Sequence, residues 1–189
     1  MLELRNEINE LTLKLTASGF TNEEEEWLEL QLQVSQSGNT FSRRGSYLEA
    51  ADIWHLADWL RALLNHQAPY EANLYFLKPN VSFHHIDSSM EEVIIAVGLH
   101  AEFEVDFMLH QSLSDSFSES MHRLVEIIKR GGRDPYDYKN HLYFAIKWQE
   151  FPGIIHKLKE AGRKHPPYRN MDMSWLKGDD DEEFVEEVK

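Results

Sequence analysis

From Val93 to Phe107 one parity of the chain stays apolar for fifteen residues: Val93, Ile95, Val97, Leu99, Ala101, Phe103, Val105 and Phe107. A period of two marks a strand, because successive side chains leave opposite faces of the pleat. The other parity begins Ile94, Ala96, Gly98 and then turns to His100, Glu102, Glu104 and Asp106. The first half is therefore expected to be buried on both faces and the second half to carry a wet, acidic face. A straight strand of this length would span about 50 Å, so a bend or bulge near Gly98 is expected.

Shorter alternations precede it. Leu11, Leu13 and Leu15 alternate with polar residues, as do Leu28, Leu30, Leu32 and Val34. Ser37-Gly38-Asn39 reads as a hairpin turn into Phe41, so three strands are expected as a meander. Ser46 and Glu49 read as a capping box opening a helix that runs to Asn65. In that helix polar residues form a narrow stripe, and an apolar face so wide implies burial on more than one side. It is read as the central core helix. Asn73–Leu77 and Val81–Ile86 then read as a strand pair around Pro79-Asn80. Further on, Ser116 with Glu119 signals another helix, stopped by Gly131-Gly132, and His141–Trp148 reads as a last strand. A final helix starts at Pro152 and is expected to end at Gly162.

The charge is unevenly spread. Against a formal net charge of −14, residues 1–110 hold eighteen acids and six bases, 111–178 hold eight and twelve, and 179–189 hold seven and one. An acid excess argues against direct nucleic-acid binding, whose affinity comes from Lys and Arg on phosphates. Cysteine is absent, which excludes disulfide scaffolds, thiol catalysis and thiolate zinc sites. No apolar run reaches the roughly 20 residues of a membrane helix, and the start lacks a signal peptide's apolar stretch. A soluble, cytoplasmic protein without a membrane partner is expected.

Little in the chain points to catalysis. No nucleophile elbow, phosphate loop or dinucleotide fingerprint is present. His84 and His85 are adjacent in a strand and point to opposite faces, so they do not chelate one ion without a bulge. His100, Glu102 and Glu104 share one strand face and could bind a metal only with help from other elements, which leaves a metal-dependent enzyme as an alternative. A solvated polar strand face explains them more simply. Trp54, Trp59, Tyr75, Phe76 and Phe83 are read as core, with Trp148 and Phe151 stapling the last strand to its helix. What remains is an acidic surface, Glu91, Glu92, Glu102, Glu104 and Asp106, suited to a basic protein partner. No cofactor is implied. An acidic interaction module whose tail, with Trp175, recruits a partner is a further alternative.

Leu74 to Phe83 (LYFLKPNVSF) resembles the F-x-E-P-N-L-x-F segment of WapI-type bacterial immunity proteins, with Lys78 where that pattern carries Glu. An early strand ending near Gly19-Phe20, Trp27 opening the next, the Leu/Trp-rich helix from Ile53 to Leu64 and the closing Pro166-Pro167-Tyr168-Arg169 agree. The resemblance implies a non-enzymatic protein that binds and neutralises a contact-delivered polymorphic toxin domain, often a nuclease, and it carries over no catalytic residues. The expected fold is α+β, a mainly antiparallel sheet packed around a central helix, with additional helices in the C-terminal half. Residues 1–169 are expected as one domain, strand-rich over 1–110 and helix-rich over 111–169, followed by a weakly ordered acidic tail over 170–189.

Overall fold

The computed structural model describes residues 1–6, 10–21, 27–65, 73–78, 80–100, 103, 105 and 141–167. Within them the chain forms two four-stranded antiparallel sheets and two α-helices, an α+β arrangement. The expected single sheet is thus two.

The first sheet runs β1 (Leu2–Asn6), β2 (Leu11–Phe20), β3 (Trp27–Gln36) and β4 (Asn39–Glu49) in that order. The expected meander is β2 to β4. The leading strand β1 was not anticipated, although Leu2 and Leu4 alternate with Glu3 and Arg5. Alternation decides which face is inside: Leu28, Leu30, Leu32 and Val34 are wholly buried while Gln31 and Lys14 face out. At the β3–β4 turn Ser37 (φ 48°) and Gly38 (φ 84°) are both left-handed, the conformation that matches strand twist in a two-residue hairpin.

The second sheet runs β5 (Asn73–Tyr75), β6 (Val81–Ser88), β7 (Glu92–Leu99) and β8 (His141–Lys147). The fifteen-residue strand does not form. At His100 the chain turns out of the sheet: the His100 N–H donates to the Asn80 carbonyl at 2.9 Å, and the Phe103 N–H to the His100 carbonyl at 3.1 Å. Phe103 still reaches the core and is fully buried, so the apolar parity outlasts the strand. The irregularity also lies elsewhere: Gly98 sits in regular register opposite Ser82 and His141, and the bulge is in β6 between His85 and Asp87. The double burial expected of Val93 to Leu99 is present.

Helix α1 (Ala50–Leu64) follows β4 with no linker. Ser46 remains in the strand; the cap is Glu49, whose backbone N–H donates to Asp52 Oδ2 at 2.9 Å. The pattern S/T-x-x-E fits Ser46 and Glu49, but the strand continues through them because Leu48 pairs with Leu28 on β3. Burial of Ile53, Trp54, Leu56, Trp59 and Leu60 confirms a helix covered on several sides. A 3₁₀ turn (Trp148–Glu150) leads into α2 (Phe151–Lys164), and the Trp148 and Phe151 rings meet at 5.6 Å. The strand ends one residue sooner than expected, at Lys147, because Trp148 opens this turn.

Gly162 does not stop α2, which continues to Lys164; it is the point where α2 touches α1, against the Trp54 ring. One buried cluster takes residues from both sheets and both helices, including Leu30, Leu60, Val97, Phe144 and Leu158. The helix expected over 116–130, Pro79, Trp175 and the tail lie outside the described residues. Among those residues, no helix is long and apolar enough to cross a membrane.

Candidate functional site

The turn between β6 and β7 is built from Asp87, Ser88, Ser89, Met90, Glu91 and Glu92. Serine makes the turn because its hydroxyl replaces lost ladder bonds. Ser89 Oγ accepts from the N–H groups of Glu91 (3.2 Å) and Glu92 (3.1 Å), and the Ser89 N–H donates to the Glu92 carbonyl at 2.8 Å. The Ser88 N–H donates to Asp87 Oδ1 at 2.8 Å, and the Ser88 hydroxyl is hydrogen-bonded to His85 Nε2 at 2.7 Å. Burial holds the His85 imidazole below its ordinary pKa, against the opposing pull of Asp87, so it stays neutral at pH 7.

From the other side Trp148 anchors the turn. Its indole N–H donates to the Ser89 carbonyl at 3.0 Å and its backbone N–H to the Glu91 carbonyl at 3.2 Å. With the backbone tied down in this way, the side chains are presented rather than used. Met90 is 98% exposed at the tip, flanked by Asp87, Glu91 and Glu92 around a hollow of about 350 Å³. A fixed loop that shows three carboxylates and one apolar side chain is equipped to bind a cationic protein surface at little entropic cost.

The second polar cluster lies over Gly98. Ser82 Oγ is hydrogen-bonded to His84 Nε2 (2.8 Å) and to His100 Nε2 (3.3 Å), and His84 Nδ1 to Asn73 Oδ1 (3.0 Å). The His141 ring lies 5.1 Å from that of His84 and 5.8 Å from that of His100. A Cβ on Gly98 would stand 2.4 Å from Ser82 Oγ, so only glycine lets these side chains converge. His84 and His85 diverge as expected, toward Ser82 and Ser88. Tyr75, expected in the core, is 40% exposed, with its ring 5.4 Å from that of His84. It lies on a three-residue strand at the sheet's edge, which leaves one side open.

Of the acidic residues singled out in the sequence, Glu91 and Glu92 stand together on the pinned turn. Glu102, Glu104 and Asp106 lie outside the described residues, and with them the carboxylates of the His100 metal alternative. His100 itself turns to Ser82 and His141, and among the described residues no group of three His, Cys, Asp or Glu side chains is placed to hold a metal ion. Sequence reading missed Ser82 and His141, one in a strand interior and the other forty-three residues past Gly98; only register brings them together. It also missed Met90, which no periodicity marks.

The chain matches the family model of the immunity protein WapI-like family over residues 1–166. It belongs to the WapI-like immunity protein family. Immunity to a toxin is therefore its role, exercised by neutralising a cognate toxin, and members of the family are typically not enzymes. No curated protein and no solved structure matches the chain. As a WapI-like immunity protein it needs a presented surface more than a catalytic pocket, and the Asp87–Glu92 turn is such a surface.

Proposed function

We propose that this WapI-like protein neutralises a basic toxin domain by stoichiometric binding in the cytoplasm, through acidic surface that includes Glu91 and Glu92. The observation that carries the reading is the turn itself, whose backbone is fully engaged while Met90 and the carboxylates of Asp87, Glu91 and Glu92 project outward. A contact-delivered nuclease suits such a surface best, because a protein built to meet phosphate is cationic. Glu102, Glu104 and Asp106 extend the same surface in this reading, and residues 1–169 act as one domain with the acidic tail beyond it. Electrostatic attraction over a Debye length speeds capture, and Met90 supplies the desolvated anchor.

The test is capture of the partner from the producing cells with tagged protein at low and at high salt. A single basic toxin held near 1:1, weakened by salt, and bound less tightly by the Glu91→Lys/Glu92→Lys variant is the expected result. A toxin whose affinity is indifferent to both salt and charge reversal would overturn the acidic-surface reading.

A further inference from the structure

Two sheet edges face each other across an open cleft. The strand β1 pairs only with β2 and β8 only with β7, and a cleft of about 570 Å³ lies between them, lined among others by Leu4, Asn6, Ala145, Lys147, Gly153 and Ile154. That volume is in the range of pockets that hold a specific ligand. The two edges meet at one end, where Asn6 Nδ2 donates to the Tyr143 carbonyl at 3.0 Å.

The direction of the β8 backbone follows from two independent bonds. The Trp148 N–H donates to Glu91 on the β7 side, while the Tyr143 carbonyl receives Asn6 on the other. In an antiparallel pair the residues alternate between facing the partner strand and facing away. Tyr143, Ala145 and Lys147 therefore turn their N–H and C=O groups away from β7, and those of Ala145 and Lys147 face the cleft. Such an edge is a template for another strand.

Charge selects the occupant. Glu92 lines both this cleft and the hollow of the Asp87–Glu92 turn, so a segment leaving the cleft at that end passes into the acidic turn. The chain's own tail, with seven acids in residues 179–189, is mismatched there. Leu4, Ile146 and Ile154 offer apolar contacts to alternate side chains of the incoming strand.

We propose that this cleft takes an extended strand of the toxin, added to the free edge of β8 at Ala145–Lys147, with Lys or Arg flanking its Glu92 end. The inference rests on the toxin-binding reading above and names the mode of contact.

Gly153 gives the test. It lines the cleft, and a Cβ there would meet nothing within 4 Å, so a large side chain at this position fills the cleft without disturbing the fold. The purified toxin recovered with wild-type protein is titrated against Gly153→Trp, Gly153→Ala and Ala145→Pro, each checked by thermal melting. The proline removes an edge N–H that bonds to no neighbour in β7. We expect Gly153→Trp to melt as wild type does and to bind about thirtyfold more weakly or worse, the scale of a lost hot spot. Gly153→Ala should bind as wild type, and Ala145→Pro should follow the tryptophan. Amide exchange at Ala145 and Lys147 should be fast in the free protein and slow in the complex.

Unchanged affinity in Gly153→Trp overturns the cleft while leaving toxin binding intact. Slow exchange in the free protein, or a homodimer that Gly153→Trp dissociates, assigns the edge to the chain itself or to a second copy and overturns it too. Failure to recover any toxin removes both readings.

Discussion

The ammonium of Lys78 sits 4.0 Å from the centre of the Trp27 ring and donates to the Ser46 carbonyl at 3.0 Å. Lys78 follows β5, whereas Trp27 opens β3 and Ser46 lies in β4, so one side chain ties the two sheets together. Both contacts need a cation with a long stem. Lys78→Glu should therefore destabilise the protein by about 1 kcal/mol, the sum of a modest cation–π contact and one hydrogen bond at an exposed site. Lys78→Met, which keeps the stem over the indole, should lose about half of that. Urea denaturation of the three proteins checks it, and equal midpoints would mean the latch contributes nothing.

Two glycines in α2 should respond in opposite directions. A Cβ on Gly162 would lie 2.6 Å from the Trp54 ring, between two packed helices, whereas one on Gly153 meets only open space. Gly162→Ala should cost about 1–3 kcal/mol through overpacking. Gly153→Ala should gain up to about 1 kcal/mol from helix propensity and a less disordered unfolded chain. The pair of thermal melts is the measurement, and a stabilised Gly162→Ala would show that the helix contact is loose.

The polar cluster over Gly98 makes a double-mutant prediction. Gly98→Ala forces its methyl to within 2.4 Å of Ser82 Oγ and 2.8 Å of His100 Nε2, and should cost about 2 kcal/mol. Removing the hydroxyl with Ser82→Ala relieves the nearer clash at the expense of two histidine hydrogen bonds. The double variant should thus be more stable than the sum of its parts, with a coupling of about 1 kcal/mol. Strict additivity would place the clash elsewhere.

His55 links stability to pH. Its imidazole is raised above the ordinary value first by a hydrogen bond to Asp52, with further help from the charges of Asp52, Asp58 and Glu49, and against the pull of burial. A raised folded-state pKa means the fold prefers the imidazolium. The stabilisation is complete below the unfolded value near 6.5 and is lost as pH rises through the higher folded value. The melting temperature of wild type relative to His55→Gln should accordingly be higher at pH 5.5 than at pH 8.5. A constant difference across that range would mean the pair is not formed in solution.

Much of this fold is written in local pattern. The period-two runs of Leu11 to Leu15 and Leu28 to Val34 announce β2 and β3, and the narrow polar stripe of α1 announces a helix covered on several sides. Local pattern failed where tertiary contact overrode it. Ser46 and Glu49 have the spacing of a cap, but pairing of Leu48 with Leu28 carries the strand past them. Phe103 continues the parity of β7 after the strand has turned away, because the core lies within its reach by either route. The site was legible in half. Glu91 and Glu92 follow from charge alone, while the exposure of Met90 and the pinning of the turn by Trp148 depend on a contact across fifty-nine positions.

Glu49 is at once the last residue of β4 and the cap of α1. With no loop between them, strand and helix share one rigid phase, and the azimuth of the helix is dictated by the pleat of the strand. A single residue inserted after Glu49 would turn α1 by about 100° about its axis, carrying Ile53 and Leu60 out of the core and the Asp58–Arg61 stripe into it. The junction tolerates substitution but not a change of length, and it makes the first sheet and its helix a single cooperative body.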